Sequence, residues 1–147
     1  MNLDISLIPH GQIGYVVPSL VKYLDESVKW TKGRSELDDI LCFIFTGQMQ
    51  LWVVFEPDNS TVHGYVMTEI KEYPRKKMFV IQYCAMAPHM MKYVEDKMHA
   101  KAMMFAKNVG CMGIEFYGRP GWEPHVKKHG YTVKTVVFEK HFDEVQP

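Results

Sequence analysis

The chain has 147 residues, 47% hydrophobic and 23% charged, which suits one compact domain that buries most of its apolar surface. Lysine plus arginine equals aspartate plus glutamate at 17 each, so no global basic field exists to gather nucleic acid or an anionic membrane surface. The three cysteines, Cys42, Cys84 and Cys111, are odd in number and lie far apart in apolar contexts, which argues for reduced, buried thiols in an intracellular setting.

Met1-Asn2-Leu3-Asp4 carries no basic region and no long apolar run, so neither a signal peptide nor a transmembrane span is expected. Residues 3–8 alternate and predict a short strand. Pro18 opens a helical pattern with Leu20, Val21, Leu24 and Val28 on one face, proline fitting a first helical position through its missing N–H. Ser35 is a candidate N-cap for a helix from Glu36 to Phe45, with Asp38 and Asp39 in its first turn and Gly47 as its stop.

Residues 49–55 and 64–71 read as the two strands of a hairpin around the turn cluster Pro57-Asp58-Asn59-Ser60. Residues 78–86 form a nearly continuous apolar run that predicts a central strand ended by Ala87-Pro88. A long helix follows from Met90 to about Val109, with Met91, Val94, Met98, Ala102, Phe105 and Ala106 at helical spacing and Gly110 as its cap. Residues 112–117 predict a further strand, residues 122–128 a short helix stopped by Gly130, and residues 131–141 a long closing strand. Residues 143–147 read as a frayed tail. The fold class is therefore α+β, a mixed, mostly antiparallel sheet with helices on both faces, in one domain over residues 1–147.

This element order resembles the GNAT superfamily of N-acetyltransferases. The passage Ala106-Lys107-Asn108-Val109-Gly110-Cys111-Met112-Gly113-Ile114-Glu115-Phe116 is similar to the family's step from cofactor helix to fifth strand. Gly121 to Tyr131 looks like its fourth helix with a terminal Lys-x-Gly-aromatic turn, and Val133 to His141 like its closing strand. The resemblance implies an acyl-CoA-dependent N-acyltransferase, with acetyl-CoA as donor and a small-molecule or protein amine as acceptor. GNAT-like chains also occur in tailed-phage genomes, some as virion components, which extends the expected setting from cytoplasm to host cytoplasm or virion.

In such a fold the fourth strand splays from the fifth, and its free backbone groups pair with the pantetheine amides. The resemblance places that contact at Cys84, Ala85 and Met86, with one of their N–H groups as donor to the thioester oxygen. Pyrophosphate would meet Met91, Lys92, Tyr93 and Val94 at the helix N-terminus, an end that favours anions. The family's loop there is glycine-rich, because glycine lets phosphate approach the backbone, whereas His89 to Asp96 contains no glycine. Glu95 and Asp96 are the helix-stabilising carboxylates expected in a first turn.

Amine acylation needs a base and an acid. Glu69 and Glu115 are candidate bases, and Tyr83, Tyr117 and Tyr131 candidate acids. Val126 stands where many family members carry an acid tyrosine, beside His125. His125 and His129 share a helical face, but no third ligand has matching spacing, so no metal site is expected. Two functional expectations follow, an active acetyltransferase or a catalytically silent GNAT-fold module that binds protein partners or a second copy. Arg75-Lys76-Lys77 and Lys127-Lys128 are too small a basic footprint to support nucleic-acid binding.

Overall fold

The computed structural model describes residues 1–142. Five strands form one sheet in the order β1-β2-β3-β4-β5: β1 Asp4–Leu7, β2 Gln50–Phe55, β3 Val62–Glu72, β4 Lys77–Met86 and β5 Gly113–Phe116. The first four strands pair antiparallel, and β5 joins β4 in parallel, as its helical crossover requires. The helices are α1 Ile13–Val16, α2 Val21–Trp30, α3 Leu37–Phe45, α4 Glu95–Asn108 and α5 Glu123–Lys127. No described helix is long and apolar enough to cross a membrane.

The sheet separates two apolar layers, as strand alternation demands. On one side Leu51, Val53, Tyr65, Met67 and Ala85 pack against Leu20, Leu24, Ile40 and Ile44 of the α1–α3 region. On the other, Val54, Val66, Phe79 and Ile81 meet Val94, Met98, Ala102 and Ala106 of α4. Two side-chain pairs are satisfied inside these layers: Trp52 Nε1 donates to Thr68 Oγ1 at 2.9 Å, and the Tyr65 hydroxyl donates to Ser27.

Several local expectations are corrected. α2 turns Tyr23, Leu24 and Ser27 inward while Val21 stays exposed, because the 3-10 turn Val17–Ser19 sets the phase before the helix begins. The cap of α3 is Glu36, not Ser35: Glu36 accepts from the Asp39 backbone while Asp39 Oδ2 accepts from the Glu36 N–H at 2.9 Å, a capping box. On that helix Ile40 and Ile44 point inward one turn apart, which leaves Cys42 exposed rather than buried. The helix expected from Met90 is two pieces, a 3-10 turn Met91–Tyr93 and α4, since Val94 at the junction leaves the helical region at φ −132°.

The closing strand over residues 131–141 does not form. Its β-branched pattern is present, but no backbone hydrogen bond joins it to β5, and a strand without a partner has no ladder to hold it. The tail over residues 143–147 lies outside the described residues.

Candidate functional site

β3 and β4 pair without interruption until Met67 faces Tyr83 and Thr68 faces Ile81, which leaves Gln82 as an extra residue on β4. Such a bulge bends the strand that carries it. β4 accordingly leaves β5 at the same point: their pairing ends at Ile81 and Phe116, and the last bond runs from the Tyr117 N–H to the Ile81 carbonyl at 3.0 Å. Beyond it, Tyr83 to Met86 keep β3 as a partner and have none on the β5 side among the described residues. The splay rests on close backbone contact behind it, since a Cβ on Gly64 would lie 2.5 Å from the Ala85 carbonyl oxygen.

The register sets Glu69, Val80 and Glu115 in one row across β3, β4 and β5. Gln82 Nε2 donates to Glu69 Oε1 at 2.7 Å, so the bulged residue orients that carboxylate. Lys71 Nζ lies 3.8 Å from the same oxygen. The hydroxyls of Tyr73 and Tyr117 both donate to Glu115 Oε2, at 3.1 and 3.0 Å. Burial first, then Tyr73 and the Glu115 charge, push the Tyr117 hydroxyl well above the ordinary tyrosine range, so it stays protonated. Two carboxylates and a protonated tyrosine thus sit beside the opened part of the sheet.

Tyr83 is half-buried and packs with the α1–α3 layer, the side that holds Met67. Tyr131 lies apart from the Glu69–Glu115 row. It lines a crevice on the α4 side, edge-on to His99 at 5.8 Å, and burial pushes its hydroxyl up to about 12. Cys84 is half-buried, and its thiol is pushed up to about 12 by burial, which Arg119 only partly offsets; it is no ready nucleophile at neutral pH. Ala85 is buried in the α1–α3 layer, and Met86 is half-buried against the α4 layer.

At the start of α4 Val94 offers no side-chain cap to the first backbone N–H groups of the helix. Lys92 is exposed with its Nζ 5.1 Å from the centre of the Tyr93 ring, and Met91 turns into the crevice. His89 adopts φ 65° in the preceding loop, a left-handed backbone that glycine takes without strain. The loop therefore needs a glycine-like conformation, and histidine fills it.

Sequence reasoning missed the group that dominates this end. Glu95 is buried, and its carboxylate turns toward α5, where it meets His125 Nδ1 at 2.8 Å and the Lys128 ammonium. Burial opposes its ionisation, but the Lys128 and His125 hydrogen bonds outweigh that and hold its carboxyl below the usual range. Behind this clasp His99 and His129 stack at 4.4 Å. His99 Nδ1 is buried without a partner, and His129 Nε2 lies 3.3 Å from Asp96 Oδ1 without hydrogen-bond alignment. Met91, Phe116 and Trp122 narrow the crevice until it has room for little more than one water. The contacts join residues thirty positions apart, so no local spacing signals them. No group of three or more metal-ligating side chains is assembled among the described residues.

No protein-family model matches the sequence, and no curated protein is detectably similar to it. Solved structures do match the fold. A predicted acetyltransferase from Clostridium acetobutylicum, solved with acetyl-CoA, aligns with a TM-score of 0.68 at 12% identity over 95% of this chain and 96% of its own. Glucosamine-6-phosphate N-acetyltransferase from Arabidopsis thaliana aligns at 0.66 and 15% identity over 97% of this chain and 100% of its own. Ribosomal-protein-alanine N-acetyltransferase from Brucella melitensis biovar Abortus 2308 aligns at 0.68 and 10% identity over 96% and 99%. The chain has the GNAT acetyltransferase fold.

Proposed function

On this fold, we propose that the chain is an acyl-CoA-dependent N-acyltransferase that moves an acetyl group from acetyl-CoA to an amine. The observation that carries the reading is the bulge at Gln82, which ends the β4–β5 ladder beside the Glu69 and Glu115 carboxylates. Fold likeness alone would not reach function.

The residues fit acyl-CoA at its two ends to different degrees. The pantetheine amides match the backbone of Tyr83 to Met86 on the side where β5 no longer pairs. The phosphates match the uncapped N-terminus of α4 together with Lys92, once the Glu95 carboxylate turns out. When bound, acyl-CoA supplies the activated thioester. A backbone N–H of Cys84 or Met86 steadies the thioester oxygen as charge gathers on it; that of Ala85 is turned to β3 by the ladder. Glu115 or Glu69 accepts the proton of the incoming ammonium, and Tyr117 or Tyr83 protonates the departing sulfur. Tyr117 suits that last role because its hydroxyl is held protonated.

A second reading, a GNAT-fold binding module without turnover, is favoured by the ion pairs that Glu95 makes with His125 and Lys128 across the crevice. Calorimetric titration of acetyl-CoA, followed by thiol release over a panel of amines, separates the two. Saturable binding with thiol release is the expected result. Binding without release leaves the second reading, and no binding at millimolar acetyl-CoA removes the first.

A further inference from the structure

The sheet has two edges, and they are treated differently. At β1 the Lys97 Nζ donates to the Leu3 carbonyl at 2.7 Å and the Lys101 Nζ to the Ile5 carbonyl. Asp4 and Ser6 pair toward β2, so these carbonyls face outward and α4 caps that edge with lysines. β5 has no such cover. The Tyr117 N–H bonds to Ile81, so alternation turns the backbone groups of Gly113 and Glu115 toward β4 and puts those of Ile114 and Phe116 on the open side. No described backbone group bonds to them from there.

The same chain carries an unpaired strand. Residues 132–142 include Thr132, Val133, Thr135, Val136 and Val137, the composition of a β-strand. Every residue of this arm is exposed, with Val136 at 65%, Val137 at 74% and Phe138 at 92%. The arm thus exposes these apolar side chains without a partner among the described residues. The arm's beginning is held to α5 by the bond from the Tyr131 N–H to the Val126 carbonyl at 3.3 Å. Its far end reaches the α2–α3 connection, where Glu139 lies 3.4 Å from Arg34. In its own chain the arm thus runs between two anchors without pairing to β5.

We infer that two copies of this chain associate by exchanging arms, residues 132–142 of each adding as a strand to the open edge of β5 in the other. A free edge and a free strand in one molecule satisfy each other twice in a two-fold pair, with nothing left over, which fits the isologous symmetry of most dimers. A net charge of zero sets no repulsion against two copies meeting. The occupant is a second copy because its arm is the one strand whose hydrogen-bonding and apolar needs the structure already displays.

The test uses the full chain, a Phe138→Asp variant and a chain ending at Tyr131. Phe138 touches little in one copy, so the substitution spares the fold of a single chain. Sedimentation is expected to give a dimer for the parent chain and half that mass for both variants. Hydrogen exchange is expected to show amides of 113–116 and 132–142 protected in the parent and released together in Phe138→Asp. A monomeric parent overturns the inference, whether its arm amides are free or protected by pairing within the chain. So does a dimer that survives Phe138→Asp, or one whose β5 amides exchange equally fast in both proteins.

Discussion

The Glu95 carboxylate lies 2.8 Å from His125 Nδ1 across the gap between α4 and α5, and its second oxygen holds Lys128. One internal carboxylate thus occupies Lys128 and His125 beside a helix end without a side-chain cap. Replacing it with a neutral amide releases Lys128 and His125 to whatever anion arrives. Glu95→Gln is expected to tighten acetyl-CoA binding about tenfold, roughly 1.4 kcal/mol. His125 and Lys128 are partly exposed and can hydrate, so the accompanying loss of stability is about 1 kcal/mol, below that of a fully buried pair. Calorimetry and a thermal melt on both proteins check this; unchanged affinity would mean the clasp lies outside the ligand's path.

The clasp also sets a pH signature. The folded Glu95 carboxyl sits below its ordinary value of 4.5, so its stabilisation is present above that pH and is lost as pH falls through the folded value. The difference in melting temperature between the parent and Glu95→Gln is expected to close below about pH 4.5. His99 acts higher. Burial, then the neighbouring His129, hold its imidazole below the ordinary 6.5 against the pull of Asp96, so its contribution declines as pH drops from 6.5 toward the folded value. His99→Phe keeps the stack on His129 and is expected to flatten that upper part of the pH–stability curve.

The row across the sheet predicts which carboxylates and tyrosines matter to turnover. Glu115→Gln and Glu69→Gln are each expected to lower kcat by about 10²–10⁴ with little change in acetyl-CoA affinity, the range for losing a general base. Tyr117→Phe is expected to lower kcat as well and to alter the alkaline limb of the pH–rate profile. Tyr131→Phe should leave kcat within about twofold, because the Tyr131 hydroxyl lies on the α4 side of the sheet, away from Glu69 and Glu115. A larger loss from Tyr131→Phe than from Tyr117→Phe would reverse the assignment of the acid.

How far the sequence reached follows the range of each interaction. The apolar run over residues 78–86 and the spacing of Val94, Met98, Ala102 and Ala106 are local patterns, and β4 and α4 stand where those patterns put them. The bulge at Gln82 has no such mark, since it exists only as a register between two strands. The Glu95 clasp is equally silent, because a carboxylate in a first helical turn reads as a dipole partner until α5 is folded beside it. Residues 131–141 fail in the opposite sense: the local strand pattern is strong, but no strand of the sheet pairs with it.

Gly64 supports the splay from behind and offers a direct test of it. It pairs with Met86 at the open end of β4, and an added Cβ would lie 2.5 Å from the Ala85 carbonyl and 2.6 Å from the Met86 Cβ. The Ala85 contact is backbone, so no side-chain rotation relieves it. Gly64→Ala is expected to cost about 1–3 kcal/mol, the range for overpacking a close-packed position. The strain falls on Ala85 and Met86, beside the Cys84 and Met86 N–H groups proposed for the thioester oxygen. Gly64→Ala should therefore lower kcat as well as the melting temperature, whereas an equal destabilisation from Ile44→Val in the remote α3 layer should spare kcat. A thermal melt and a rate assay on the two variants check this, and equal activity losses would place the cost in general stability instead of strand geometry.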